Sequence, residues 1–198
     1  MGEEVDRLLT KSIEALENND MELAKKISKL DTNINKLERE IQEKCMKIIL
    51  LQKPFASDLR ILTGYSKIVT DIERIADQCV DICEIISMKK IVESPECVVK
   101  VVPILKKVSV MFKRTLRSCI EFNSDEARLI CKSDDEIDAM FSDIILNVSN
   151  VISKNPTKIQ AGADLMFITK YAERIGDHCT NIAEWIIYVS TGFHFNLN

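Results

Sequence analysis

Glycine, proline and aromatic residues are scarce in this chain. Its 198 residues include only 5 glycines and 4 prolines, and aromatic residues make up 6%. Because glycine and proline interrupt regular structure, so few of them predict long helices joined by few turns. Hydrophobic residues reach 46%, so the core is expected to be mainly aliphatic, as in an ordinary globular protein.

The sequence also lacks a basic block and a long apolar run. The net charge is −4, which argues against a nucleic-acid partner. No cationic segment followed by an apolar one suggests a signal peptide, and no apolar stretch has the length of a membrane span. We therefore expect a cytoplasmic protein with no direct membrane insertion, whose membrane contacts go through a partner.

The seven cysteines do not form a metal-binding or disulfide pattern. Their number is odd, none forms a CxxC pair, and there are only two histidines, which argues against a zinc knuckle. Without an export signal, the cysteines are expected to be reduced and to fill the core as small hydrophobic residues. They are Cys45, Cys79, Cys83, Cys97, Cys119, Cys131 and Cys179.

Apolar periodicity predicts three helices in the first half. The first covers about 5–17 and ends at a turn in which Asp20 caps the second helix. The second helix is disturbed at Pro54 and is followed by a third over about 57–88. One apolar stripe runs along the second helix, formed by Ile27, Leu30, Ile34, Leu37, Ile41 and Ile48.

The same plan returns in the second half. Residues 91–103 contain two of the prolines and are interpreted as a linker between residues 1–90 and 104–198. Three further helices are predicted over about 104–122, from a cap at Ser124 to the Asn-Pro pair at 155–156, and over about 159–190.

Residues 71–79 match residues 171–179 at an offset of one hundred, and the match continues beyond both segments. Self-similarity at a fixed offset indicates a repeated structural unit. The predicted fold is therefore all-α, with two tandem antiparallel three-helix bundles related by internal duplication.

Acidic residues recur four positions apart on the third helix of each half. They fall on a polar stripe separate from the apolar face, and their mutual repulsion would be relieved by a bound cation. The second helices offer similar residues at the same spacing. The predicted metal ligands are Asp31, Glu73 and Asp77 in the first half, where Asn35 takes the fourth position, and Asp134, Asp138, Glu173 and Asp177 in the second.

Oxygen ligands of this kind suit hard cations such as magnesium, calcium, manganese or ferric iron. The alternative is a solvated acidic surface, which is the more common role of a lone acidic pair. Recurrence of the pair in both halves favours metal binding.

Other candidate functional residues have simpler explanations. His178 falls off the acidic stripe, and no glutamate stands three positions before it, so the Glu-x-x-His motif of di-iron bundles is absent. Arg74 and Arg174 are candidates for binding phosphate or another anion, but arginines beside acidic residues more often form surface ion pairs. There is no Ser/His/Asp arrangement and no glycine-rich phosphate loop, so no catalytic residue is predicted and the protein is not expected to be an enzyme.

Two segments resemble the PhoU family of phosphate-signalling regulators, and the resemblance extends over nearly the whole chain. They are Leu51-Gln52-Lys53-Pro54-Phe55-Ala56-Ser57-Asp58-Leu59-Arg60, leading into 71–77, and Tyr171-Ala172-Glu173-Arg174-Ile175-Gly176-Asp177-His178-Cys179. The resemblance implies paired three-helix bundles with metal clusters on the acidic residues named above, in which iron and zinc are candidate metals. The sequence departs from the family pattern at Asn35, where an acid is expected, and at Ala76, where glycine is usual. Its first helix also looks short.

The resemblance also implies a function by contact. Family members act as negative regulators of phosphate transport and signalling, as adaptors between a phosphate ABC transporter, through its ATPase subunit, and a sensor histidine kinase. A homodimer is implied as well. The alternative hypothesis is a metal-storage or metal-dependent hydrolytic protein that uses the acidic stripes.

Overall fold

Seven α-helices make up the computed structural model, which describes residues 1–27, 31–88 and 95–193, with only the backbone for residues 31, 32, 95 and 96. No strand occurs in these ranges, so the all-α prediction is confirmed. The helices are α1 (Gly2–Glu17), α2 (Met21–Ile27), α3 (Asp31–Gln52), α4 (Ser57–Ser87), α5 (Pro95–Glu121), α6 (Ser124–Lys154) and α7 (Ile159–Thr191), with a short 3₁₀ turn at Pro156–Lys158 before α7.

Helices α4 and α7, the third helix of each half, form the centre of the molecule, because the other helices pack on them. Helices α1, α2 and α3 pack on α4, and α5 and α6 pack on α7. The halves meet where α4 packs on α7 and α1 on α5. One cluster of buried side chains, mostly isoleucine, leucine, valine and alanine, runs through both halves, as the low aromatic content predicts.

Several helix ends lie where the sequence predicts them. The Asp20 carboxylate accepts a hydrogen bond from the backbone N–H of Leu23 at 2.9 Å, which caps α2. Helix α7 ends at Gly192, whose φ of 83° is left-handed and favours glycine at this position. None of the described cysteines forms a disulfide, and five of the seven are buried, which confirms their role as core residues.

The predicted linker is wrong in its second part, because α5 already begins at Pro95 and contains Pro103. Pro95 suits a first helical position, where no hydrogen bond from the backbone N–H is lost. Pro103 is exposed on the outer face, where its missing N–H leaves no buried carbonyl unpaired. Residues 91–94 of the linker lie outside the described ranges.

The cap of α6 is also one residue earlier than predicted. Ser124 is the first helical residue, and the Asn123 side chain accepts the hydrogen bond from the Glu126 N–H at 3.0 Å. Asn123 has the extended backbone of an N-cap, with φ −83° and ψ 92°. The preceding Phe122 is left-handed at φ 52° and ends α5, which moves the cap to Asn123.

Helix α3 is only partly covered because it packs on α4 and leaves its outer side to solvent. Ile34 is buried, but Leu37, Ile41 and Ile48 of the predicted apolar stripe are half-buried. Leu30 lies outside the described residues. The stripe is therefore correct in position, but it is less deeply buried than its periodicity suggests.

Candidate metal centre

The predicted carboxylates of the second half lie at the contact between α6 and α7. Gly176 allows α6 to come close, since a Cβ at this position would stand 3.0 Å from Asp134 Oδ1 and 3.2 Å from Ile137 Cδ1. The Asp134 carboxylate consequently rests against the α7 backbone. Its Oδ1 is buried and makes no hydrogen bond of normal geometry.

The four predicted ligands of the second half lie within one electrostatic environment. Burial raises the pKa of Asp134 to about 6, with further contributions from Asp177, Asp138 and Glu173, while the nearby Thr180 hydroxyl acts in the opposite direction. Burial and Glu173 also raise the pKa of Asp177, against the lowering effect of Lys170. Asp138, Glu173 and Asp177 are therefore close enough to Asp134 to act on its pKa.

Lys170 is a member of this site that sequence reasoning missed. Its Nζ lies 2.6 Å from the Glu173 carboxylate and 5.4 Å from the centre of the Phe141 ring. The signal in the sequence is the lysine three positions before the glutamate, a spacing that pairs side chains on a helix. Lys170 supplies part of the positive charge that a cation would otherwise provide.

The first half is organised differently around Arg74. The guanidinium of Arg74 lies 3.3 Å from Asp77 Oδ2 and 3.7 Å from Glu73 Oε2. Arg74 is therefore an ion-pairing residue, the more common of the two roles considered for it. Asn35 lies half-buried on α3, while the side chain of Asp31 lies outside the described residues.

These donor sets fit a hard cation in chemistry, since they are carboxylates with at least one orphaned buried oxygen, Asp134 Oδ1. Among the described residues, no group of three or more His, Cys, Asp or Glu side chains is positioned to hold a metal ion. Metal binding would need the carboxylates of the second half to converge and Glu173 to release Lys170. The metal centre stays a prediction.

A second polar region lies in the cleft between α4 and α7. His178 Nδ1 lies 2.9 Å from Asp71 Oδ1, a contact between α7 and α4 that joins the two halves. In the same cleft, Arg174 lowers the pKa of Asp81, although burial and the neighbouring Glu84 and Asp77 raise it overall. The positively charged Arg74 and Arg174 therefore share this cleft with the acidic residues Asp77 and Asp81.

Within the part of the chain that the structure describes, no helix combines the length and apolarity that crossing a bilayer requires.

Comparison with known proteins gives one consistent result. The family model of the PhoU domain matches residues 1–86 and again 102–186, one match in each half. The chain is 35% identical over 199 residues to the phosphate-specific transport system accessory protein PhoU homolog of Clostridium acetobutylicum, covering 100% of this chain and 91% of that protein. It is 31% identical to the phosphate-specific transport system accessory protein PhoU of Escherichia coli, covering 98% and 81%.

Solved structures agree with this result. The crystal structure of PhoU from Pseudomonas aeruginosa superposes with a TM-score of 0.93 at 31% identity, covering 98% of this chain and 93% of that one. The phosphate transport system regulatory protein PhoU from Streptococcus pneumoniae shares the fold, with a TM-score of 0.87 at 22% identity over 99% and 92% of the two chains. Two domain matches in tandem, relatives at this identity over the whole chain and the shared bundle together establish that the chain belongs to the PhoU family.

Proposed function

We propose that this protein is a cytoplasmic negative regulator of phosphate transport and phosphate signalling. The observation that carries the proposal is the repeated PhoU-domain match over residues 1–86 and 102–186, together with full-length relatives that are accessory proteins of phosphate-specific transport systems. The protein acts by contact and without catalysis. Its partners are the ATPase subunit of a phosphate ABC transporter and a sensor histidine kinase, and it works as a homodimer.

Metal binding at the acidic sites is part of this proposal. Asp134, Asp138, Glu173 and Asp177 would hold a cation in the second half, and Asp31, Glu73 and Asp77 would hold one in the first. Support comes from the raised pKa of Asp134, which burial and the three neighbouring carboxylates produce. A cation would favour the ionised form of all four groups.

A clean deletion of the encoding gene tests the regulatory function. With phosphate in excess, the deletion strain should import radiolabelled phosphate faster than its parent and express its phosphate-starvation genes, and a plasmid copy should reverse both effects. Normal phosphate control in the deletion strain would contradict the proposal.

The purified chain should also leave phosphate esters intact when each candidate metal is added. Hydrolysis that disappears in Asp134→Asn would instead support the alternative of a metal-dependent hydrolase.

A further inference from the structure

Exposed apolar side chains gather at one end of the molecule. The antiparallel helices bring the α3–α4 turn, the α5–α6 turn and the end of α7 together there. Arg60 Nε donates to the Val189 carbonyl at 3.1 Å, and the Ser190 hydroxyl donates to the Phe122 carbonyl at 3.1 Å. We call this surface the apolar end, and it is formed by Leu50, Leu51, Phe55, Ile120, Phe122 and Phe193.

The α3–α4 turn is the most exposed part of the apolar end. Phe55 is 87% exposed, Leu51 71% and Leu50 67%. Lys53 and Ala56 flank this turn with left-handed φ values of 45°. Non-glycine residues rarely adopt this conformation, and where they do it often serves a function.

Lys53 and Ala56 lie on either side of Pro54 and Phe55, and the Phe55 side chain is almost fully in solvent.

The duplication supplies an internal comparison for this turn. The corresponding connection in the second half, residues 153–158, reads Ser-Lys-Asn-Pro-Thr-Lys and contains no large apolar side chain. Both turns join a second helix to a third helix in the same fold. The exposed phenylalanine of the first turn is therefore not a requirement of the turn itself.

Basic residues surround the same turn. Residues 43–60 contain four basic residues and two acidic ones, in a chain whose net charge is −4. Lys47 and Lys53 form no ion pair with any residue in the ranges 1–27, 31–88 and 95–193. The net charge of this segment is therefore positive, whereas the net charge of the whole chain is negative.

We propose that the apolar end binds peripherally to the surface of an anionic lipid bilayer. Leu50, Leu51 and Phe55 enter the interface between headgroups and acyl chains, and Lys47 and Lys53 contact the anionic headgroups. Apolar side chains next to lysines are the combination that holds a protein on such a surface. A protruding turn suits a deformable bilayer better than a second rigid copy of the chain, which would need a matching cavity.

This proposal revises the expectation that all membrane contact goes through a partner. It requires no membrane-spanning helix, and it does not depend on the proposed function, because lipid binding is measured on the purified chain alone.

Co-sedimentation of the full chain with vesicles tests the proposal. Vesicles of phosphatidylcholine with about one third phosphatidylglycerol should bind the protein, and pure phosphatidylcholine should bind it more weakly. The variant Leu50→Ser/Leu51→Ser/Phe55→Ser should lose roughly tenfold or more of the partition, because three apolar side chains no longer leave water. Lys47→Gln and Lys53→Gln should each lower it about fivefold.

A matched control lies at the opposite end of the molecule, where Met88 and Ile159 are 59% and 56% exposed. The variant Met88→Ser/Ile159→Ser should bind vesicles as the unchanged protein does. Circular dichroism should show equal helicity and melting temperature for all variants, because every substituted residue is exposed.

Fluorescence provides a readout of insertion. Trp185 is the only tryptophan, so Phe55→Trp combined with Trp185→Phe places a single reporter at the turn. Its emission should shift to the blue with anionic vesicles. No binding by the unchanged protein, or equal binding by the triple serine variant, would overturn the proposal. So would a dimer that the triple variant abolishes without any vesicle binding, since the apolar end would then join two copies.

Discussion

Asp134 holds its proton at a higher pH in the folded protein than in the unfolded chain. Its pKa is raised from 3.8 to about 6 by burial and by neighbouring carboxylates. The folded state therefore binds more protons than the unfolded state between these values. The contribution of Asp134 to stability is present at pH values below its pKa in the unfolded chain. This contribution is lost as the pH rises through its pKa in the folded protein.

Replacing Asp134 by asparagine should remove this dependence. Between pH 4 and pH 7 in metal-free buffer, the free energy of unfolding of the unchanged protein should fall by about 1 kcal/mol relative to that of Asp134→Asn. This figure allows for the screening of a half-buried group by solvent. Urea unfolding at several pH values measures the difference. Asp135→Asn, at an exposed position of α6, is the control, and parallel curves for Asp134→Asn and the unchanged protein would contradict the prediction.

At the scale of residues, the sequence places acidic residues of the second half on one helix face, but it misses how Asp134 is held. Helical spacing is enough to place Glu173 and Asp177 on one face. The contact between Asp134 and the α7 backbone depends on the distance between two helices, which Gly176 permits but which no local pattern encodes.

At the scale of elements, the start of α6 depends on one side chain. Asn123 accepts the hydrogen bond from the Glu126 N–H, while Ser124 is already helical. Asn123→Ala should therefore lower the free energy of unfolding by about 1 kcal/mol, and Ser124→Ala should change it little. Chemical denaturation of both variants checks this, and a larger loss for Ser124→Ala would restore the cap predicted from the sequence.

The contact between α4 and α7 depends on the small size of Gly64. A Cβ at this position would clash with Cγ2 of the buried Val189, and a valine side chain has little freedom to move. Gly64→Ala should destabilise the fold by about 1–3 kcal/mol, despite the better helix propensity of alanine.

The clash has a direct control in a double-mutant cycle. In a Val189→Ala background the same Gly64→Ala substitution should cost little or become stabilising, because the obstructing methyl group is absent. Equal losses in both backgrounds, measured by urea unfolding, would show that Val189 is not the cause.

The sequence predicts helix type and order well because apolar periodicity and an internal repeat at a fixed offset both act over many residues. Its errors lie at single residues, such as the cap of α6 and the start of α5. Proline statistics favour a linker at 95–103, but an exposed outer face tolerates Pro103 within a helix. The partial burial of α3 was not predictable because it depends on how many helices surround it.

At the scale of the whole molecule, the two halves should differ in metal affinity. The second site offers four carboxylates, and the first offers Asp31, Glu73 and Asp77 with the neutral Asn35. Because ligand charge tunes the affinity for a hard cation, the second site should bind more tightly and fill first. Asp81 compensates only in part, since it lies one turn farther along α4.

Metal titration of two variants measures this difference by calorimetry. Glu173→Ala/Asp177→Ala should lose the tighter site, and Glu73→Ala/Asp77→Ala should lose the weaker one. If the first of these variants keeps the tighter site, ligand charge does not set the order. If neither loses metal, the stripes are solvated surface and the metal part of the proposed function fails.

The Asp71–His178 contact indicates how the duplicated chain arose. The duplication relates this pair to positions 171 and 78, which hold Tyr171 and Gln78, so the two halves no longer carry the same pair of side chains. Antiparallel packing of equivalent helices is the geometry of a two-fold dimer. A chain of this kind would result from the fusion of two copies of one three-helix repeat that formed a symmetric dimer. Each half has since diverged, so that it fits only the other half.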